Sequence, residues 1–141
     1  MSSDTLRSVT LRRTTTGRYI AANKAGTELV FGTGDDVFSP VELLLAAIAG
    51  CTAIDVDFVT ARRAEPEVFE VDASGDKISD ESGNRMENIE IVFRVVFPEG
   101  EGGDAARDRL PQAIARSHDR LCTVSRTVEL GTPVRTRSAD D

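Results

Sequence analysis

Apolar and polar residues alternate in several short stretches of the chain, and this period of two is typical of β-strands with one buried face. The stretches are bounded by Gly, Asn, Ser and Pro residues, which favour turns. The pattern predicts six strands, over Leu6–Thr14, Arg18–Ala21, Glu28–Phe31, Val68–Ile78, Ile89–Phe97 and Val124–Leu130.

A long apolar segment after the third strand predicts a helix. Ser39 can cap its N-terminus, Pro40 suits the first helical position, and Glu42 stands where a capping box places its acidic member. We expect this helix to end at Arg62 or Arg63, because the proline that follows shortly cannot continue it. Its first half is apolar on every face, which predicts burial in a core or against a partner subunit.

A second helix is predicted over Asp104–Leu121, with a possible kink at Pro111. The predicted order is therefore β-β-β-α-β-β-α-β, which is an α+β arrangement. The 141 residues fit one domain spanning 1–141, with a polar tail from about residue 135.

Charge and composition exclude several partners. The formal net charge is −7 and no Lys/Arg block stands out, so we expect no nucleic acid partner. The N-terminus is polar and does not have the pattern of a secretory signal. The longest apolar run, Val41–Ala53, is too short to span a bilayer. We therefore expect a cytoplasmic protein with no membrane partner.

The two cysteines, Cys51 and Cys122, are the candidate chemistry. Cysteines in a cytoplasmic protein are more often catalytic or redox-active than structural, although a buried cysteine can also serve as a small hydrophobe. His118 lies four residues before Cys122 and could favour its thiolate. We favour instead a role for His118 as a cation near a helix C-terminus. Two cysteines and one histidine without close spacing make a poor zinc site.

Three charged residues are further candidates. Arg18 follows a glycine at a strand start and could orient a peroxide or hold a thiolate. From spacing alone, a solvent-exposed strand arginine is the better interpretation of it. Glu42 is equally well explained by the capping box. Asp55, four residues after Cys51, would raise the pKa of that thiol unless a cation intervenes.

Two segments, Ser39–Thr52 and Ser117–Ser125, together resemble the OsmC/Ohr family of osmotically inducible and organic hydroperoxide resistance proteins. The resemblance covers nearly the whole chain and is closest to the OsmC-like branch. It implies an intertwined homodimer, with two central helices packed against β-sheets and two sites at the dimer interface. It also implies a thiol peroxidase that uses no metal or bound cofactor.

The resemblance assigns roles to individual residues. Cys51 matches the peroxidatic cysteine, which becomes a sulfenic acid, and Cys122 matches the resolving cysteine, which forms a disulfide with it. Arg18 matches the family's arginine near the end of the first strand, although Arg12 and Arg13 lie close enough in sequence to take that position. The substrate would be an organic hydroperoxide and the reductant a dithiol of unknown identity.

The chain departs from the family pattern at Val41. Family peroxidases carry a glutamate directly after the proline, where it pairs with the arginine. Here the glutamate is one residue later, at Glu42, and one helical residue is a rotation of about 100°. Two hypotheses follow. Arg18 with both cysteines favours the peroxidase, whereas Val41 favours a non-catalytic OsmC-like protein that senses redox state or binds a small ligand.

Overall fold

A computed structural model describes residues 5–140 and confirms the predicted α+β class. The described strands are β1 Val9–Thr15, β2 Arg18–Asn23, β3 Glu28–Gly32, β4 Val68–Asp80 and β5 Gly83–Val96. The helices are α1 Pro40–Thr60, α2 Glu101–Arg116 and α3 Thr123–Leu130, with a π-helical turn at Ser117–Leu121. The order is thus β-β-β-α-β-β-α-α, and its first seven elements follow the predicted order.

The chain forms two compact units, Met1–Leu44 and Leu45–Asp141, and the boundary falls inside α1. The first unit is a three-stranded antiparallel sheet in the order β1-β2-β3. Tyr19 on β2 lies opposite Phe31 on β3, and their rings stack with centroids 5.7 Å apart. The prediction of a single domain over 1–141 stays a prediction.

The second unit contains a long antiparallel hairpin of β4 and β5. Its register shifts between Ser74 and Asp76, opposite a segment of β5 in which Asn88 has a φ of 55°. The Asn88 side chain donates to Asp76 across this bulge, at 2.9 Å. The bulge changes the phase of β5, so that Met86 and Ile89 are both half-buried although they are three residues apart.

Helix α1 begins with the predicted capping box. The Ser39 N–H donates to a carboxylate oxygen of Glu42 at 2.9 Å, and the Glu42 N–H donates to the Ser39 hydroxyl at 3.1 Å. Within one chain the helix is buried along one stripe, which consists of Ile48, Thr52, Val56 and Thr60. Other faces are exposed, so the predicted burial on every face would require a partner subunit.

The apolar run Val41–Ala53, which was predicted to be too short to span a bilayer, is part of the longer helix α1. This helix has 21 residues with a mean hydropathy of 1.8 and is long and apolar enough to cross a membrane by length and composition alone. One such helix is weak evidence, because the core helix of a globular protein passes the same test. In chain order, α1 follows the sheet of β1, β2 and β3 and precedes the hairpin of β4 and β5.

The predicted last strand, Val124–Leu130, was wrong, because this segment is helix α3. Cys122 caps the helix with an extended backbone, and Gly131 ends it in the left-handed conformation, with φ of 68° and ψ of 50°. Val124 and Val128 are four residues apart, a spacing that suits two strand repeats and also about one helical turn. In so short a segment, the end signals and not the periodicity decide the structure.

The second predicted helix ends before Cys122. Helix α2 continues through Pro111 and then widens into the π-helical turn, where the Cys122 N–H donates to the Ser117 carbonyl at 2.8 Å. Cys122 lies outside this helix, so His118, four residues earlier, does not share a helical face with it. The turn instead places Cys122 at the N-terminus of α3, where it is the capping residue.

Candidate functional site

The second unit brings Cys51 and Cys122 together. Cys51 lies on α1 and is partly buried, whereas Cys122 lies between the π-helical turn and α3 and is fully buried. Both are free thiols, and Cys122 is one of the groups that raise the pKa of Cys51, so the two side chains lie near each other. The family resemblance implied that these two residues pair, and they form the centre of the candidate site.

The N-terminus of α3 is built around the two sulfurs. The backbone N–H groups of Thr123 and Val124 act to lower the pKa of Cys51, so they lie near its sulfur. The Ser125 N–H donates to the Cys122 sulfur at 3.4 Å, and the Ser125 hydroxyl lies 3.2 Å from it. The first N–H groups of a helix have no partner within the helix, and they favour negative charge. Helix α3 therefore presents donors to a thiolate at either cysteine.

The pKa of the Cys51 thiol is nonetheless raised above its ordinary value of 9.0. Burial is the largest cause, and the neighbouring Cys122 sulfur adds to it; the N–H groups of Val124 and Thr123 act in the opposite direction without overcoming it. None of the groups that shift this pKa among the described residues is a cation. At neutral pH the resting state of Cys51 is therefore mainly the thiol.

Arg18, in the first unit, binds a residue that the sequence analysis missed. Its guanidinium donates to both carboxylate oxygens of Asp36, at 2.6 Å and 3.3 Å, and this pairing holds the pKa of Asp36 below its usual range. Gly34 lies against the same guanidinium, and a Cβ there would stand 2.5 Å from its Nη2. The loop after β3 is therefore shaped around Arg18.

The other candidates in this unit have different partners. Arg12 pairs with Glu28 at 3.1 Å, and Arg13 donates to Thr16 at 2.9 Å. The Arg18 side chain is 28% exposed and that of Arg12 is 58% exposed. Glu42 is bonded within the capping box described above. Arg18 is thus the most enclosed of these ion-pairing arginines, and its carboxylate partner is an aspartate in a loop.

A buried polar cluster next to the thiols was also missed. The Ser117 hydroxyl, with no exposed surface, lies 2.8 Å from the Thr52 hydroxyl and donates to the Asp55 carboxylate at 2.7 Å. Asp55 is therefore occupied by Ser117, and it is not among the groups that shift the pKa of Cys51. The expected effect of Asp55 on that thiol is not found.

A cavity of about 530 Å³ opens beside this cluster. Its wall includes Ile48 and Thr52, on either side of Cys51 in α1, and Ser125, which contacts Cys122. The wall is completed by residues of β5, α2, the π-helical turn and α3: Met86, Glu87, Asn88, Ile89, Glu90, Ile91, Phe93, Ile114, His118, Val128 and Glu129. Most of the lining is apolar, which suits an organic molecule better than a small ion.

His118 lies at the edge of this cavity and pairs with acidic residues. Its ring nitrogens lie 3.0 Å from an Asp119 carboxylate oxygen and 3.2 Å from one of Glu129. These two carboxylates raise the pKa of His118, Asp119 most strongly through a hydrogen bond. Among residues 5–140, no group of three or more His, Cys, Asp and Glu side chains is placed to hold a metal ion.

Comparison with known families matches residues 32–137 to the family described as OsmC-like protein. The chain belongs to the OsmC-like family. It is 30% identical over 133 residues to the uncharacterized protein Rv2923c of Mycobacterium tuberculosis, an alignment that covers 92% of this chain and 94% of the relative.

Solved structures of the OsmC-like fold agree with this assignment. An OsmC-like protein of unknown function from Vibrio cholerae has a TM-score of 0.72 at 16% identity, covering 92% of this chain and 95% of that one. An organic hydroperoxide resistance protein, OsmC, from Legionella pneumophila has a TM-score of 0.62 at 12% identity, covering 90% and 91%. The organic hydroperoxide resistance protein OhrB of Bacillus subtilis has a TM-score of 0.55 at 17% identity, covering 92% and 94%. At these identities the likeness concerns the fold.

Proposed function

We propose that this OsmC-like protein is a thiol-dependent peroxidase that reduces organic hydroperoxides through a cycle of its two cysteines. The observation that carries the proposal is the proximity of Cys51 and Cys122 at the N-terminus of α3, where the Ser125 N–H donates to the Cys122 sulfur. Family membership favours a redox or peroxide-related role, and the names of two structural neighbours include organic hydroperoxide resistance. The physiological setting would be oxidative stress defence in the cytoplasm.

The proposed cycle begins with a thiolate at Cys51. Its sulfur attacks the terminal oxygen of the hydroperoxide, the O–O bond breaks, and the alkoxide leaves and takes a proton to become an alcohol. Cys51 is then a sulfenic acid. The Cys122 thiolate attacks that sulfur, the hydroxyl leaves as water after taking the thiol proton, and a disulfide remains. An external dithiol reduces the disulfide and restores both thiols.

The surroundings of Cys51 support the first step in two ways. The N–H groups of Thr123 and Val124 offset part of the cost of a negative sulfur. The cavity beside Ile48 supplies an apolar wall that would favour an alkyl hydroperoxide over hydrogen peroxide. Since Cys51 has a raised pKa, the proposal also needs a source of activation, and Arg18 remains our candidate for it.

The proposal includes a homodimer. Helix α1 exposes Ile54 and Phe58, which are four residues apart and so lie on one helical face. Large apolar side chains exposed on one face of a long helix are best explained by a second chain that covers them.

Peroxide consumption by matched cysteine variants tests the function. With tert-butyl hydroperoxide and excess dithiothreitol, the wild type should turn over continuously. Without reductant, and with stoichiometric followed by excess hydroperoxide, Cys122→Ser should form a sulfenic acid at Cys51 and then over-oxidise, and Cys51→Ser should not react appreciably. Intact mass measured with a sulfenic acid trap separates the two variants. A wild type that consumes no hydroperoxide, or two equally inert variants, would refute the peroxidase.

A second function has its own support. Arg18 is already engaged by Asp36, and the pKa of Cys51 is raised, so a slow thiol pair is also consistent with the site. Such a protein would be a non-catalytic OsmC-like redox sensor or a small-ligand-binding protein. It would form the disulfide once under oxidant without continuous turnover, and the same assay distinguishes the two.

A further inference from the structure

Ser117 is bonded to both elements that carry the cysteines. Its hydroxyl contacts Thr52 and Asp55 on α1, the helix of Cys51. Its carbonyl accepts the N–H of Cys122 at 2.8 Å. Its own N–H donates back to α2. One fully buried residue therefore connects the backbone at Cys122 to the helix that holds Cys51.

The hydrogen bonds of this cluster have one consistent orientation. A carboxylate only accepts, so the Ser117 hydroxyl hydrogen is directed to Asp55, and the Thr52 hydroxyl then donates to the Ser117 oxygen. Because the side chain of Ser117 is buried without exposed surface, losing a partner would leave a polar group unsatisfied. The cluster thus holds α1 and the turn at a fixed separation.

The π-helical turn links this separation to the position of Cys122. A helix that continued with α-helical geometry would rotate the following residue by about 100°. The turn that begins at Ser117 instead bonds five residues ahead, to Cys122, which leaves the helix with an extended backbone. Turns of this kind often occur at functional sites.

We propose that Ser117 is a positioning residue that sets how readily Cys51 and Cys122 form a disulfide. The inference rests on the proposed function only in taking that disulfide as the product of the cycle. Ser117 touches neither sulfur in a reacting role; it acts by holding Thr52 and Asp55 against the turn. The quantity it controls is the equilibrium between the dithiol and the disulfide.

That equilibrium can be measured without a peroxide. Dithiothreitol in its oxidised form exchanges with the two thiols, giving the protein disulfide and reduced dithiothreitol, so electrons and protons balance. In Ser117→Ala we expect the equilibrium constant for the protein disulfide to fall about tenfold, as loss of one buried hydrogen bond predicts. For a two-electron couple, that fall raises the reduction potential by about 30 mV.

Thr60→Ala is the matched control. Thr60 is an equally buried hydroxyl on α1, but it donates to Val56 in its own helix at 3.0 Å, so its hydrogen bond is not to the turn. It should lower stability without moving the reduction potential. A Ser117→Ala potential equal to that of Thr60→Ala would overturn the proposal.

Asp55 provides a second test in case Ser117→Ala does not fold. Asp55 is only partly buried, so its substitution is better tolerated. Asp55→Ala removes the acceptor and should shift the potential in the same direction as Ser117→Ala. Asp55→Asn keeps an acceptor oxygen and should restore the wild-type value. Equal potentials for Asp55→Ala and the wild type would refute the positioning role, whether or not the wild type consumes hydroperoxide.

Discussion

The Arg18 guanidinium donates two hydrogen bonds to the Asp36 carboxylate, from Nη2 to Oδ1 at 2.6 Å and from Nη1 to Oδ2 at 3.3 Å. This is the bidentate geometry in which a guanidinium binds a carboxylate most specifically. Glu42 on helix α1 does not take part in this pair, because its carboxylate accepts a hydrogen bond from the Ser39 N–H. A loop carboxylate is therefore the charge that orients Arg18.

The titration of Asp36 should report this pair. In Arg18→Ala the pKa of Asp36 should rise toward its ordinary value, because its main stabilising partner is gone. A carboxyl group whose folded pKa is depressed contributes stability above its unfolded pKa, and loses it as the pH falls through the folded pKa. Carboxyl NMR across acidic pH measures the midpoint. Arg12→Ala, which removes a different ion pair, should leave it unchanged.

Activation of Cys51 by Arg18 is a separate prediction. If Arg18 stabilises the thiolate, then Arg18→Ala should raise the pKa of Cys51 further and slow its oxidation while the fold stays intact. Alkylation rates against pH, with the labelled cysteine identified by mass, give the profile. Arg12→Ala and Arg13→Ala are the matched controls. An unchanged profile in Arg18→Ala, with a changed one in a control, would assign the role to the other arginine.

The pH dependence of Cys51 tests the contact between the thiols. Since burial and Cys122 raise the pKa of Cys51, its alkylation should still accelerate as the pH rises through and above 9.0. In Cys122→Ser the neighbouring sulfur is gone, so the midpoint should move to lower pH while the contribution of burial remains. A midpoint that does not move would mean that the two thiols are not in contact in solution.

The sequence predicted the capping box because it depends on residue type and local spacing, whereas the pairing of the two cysteines was implied only by the family resemblance. Ser39 and Glu42 are three residues apart, and helix-start chemistry identifies them without any tertiary information. Asp36 and Ser117 could not be found in this way. Asp36 meets Arg18 across 18 residues of sequence, and Ser117 meets Asp55 across 62. Only the fold determines which distant polar groups meet.

For helix α3, hydrophobic periodicity predicted the wrong element type, whereas the helix-end signals would have predicted a helix. Gly131 closes the helix with the paired bonds of a Schellman motif, in which the N–H groups of Gly131 and Thr132 donate to Val128 and Thr127. A glycine directly after a short segment with valines four apart is a helix C-terminus signal. Because the segment was predicted as a strand, the N–H donors at the N-terminus of α3, near both thiols, were not predicted.

The glycine that ends α3 should be measurable in stability. Gly131→Ala should lower the free energy of unfolding by about 1 kcal/mol, because an L residue is strained in the left-handed conformation. No atom lies within 4 Å of the Cβ that the substitution adds, so the cost comes from the backbone alone. Gly131→Asn, which tolerates this conformation better, is the control. Urea denaturation measures both, and equal stability of Gly131→Ala and the wild type would contradict the cap.

Assembly is the prediction that bears on the whole fold. Ile54 and Phe58 are 55% and 68% exposed on α1 although both are large and apolar, so a second chain should cover them. Light scattering of the wild type at micromolar concentration should give twice the 15.2 kDa of one chain. Phe58→Glu should weaken the dimer, because it places a charge in the covered face. Val134→Glu, at a position 89% exposed outside the helices, should leave the mass unchanged. A monomer mass for the wild type would refute the dimer, and the exposed face of α1 would then need another explanation.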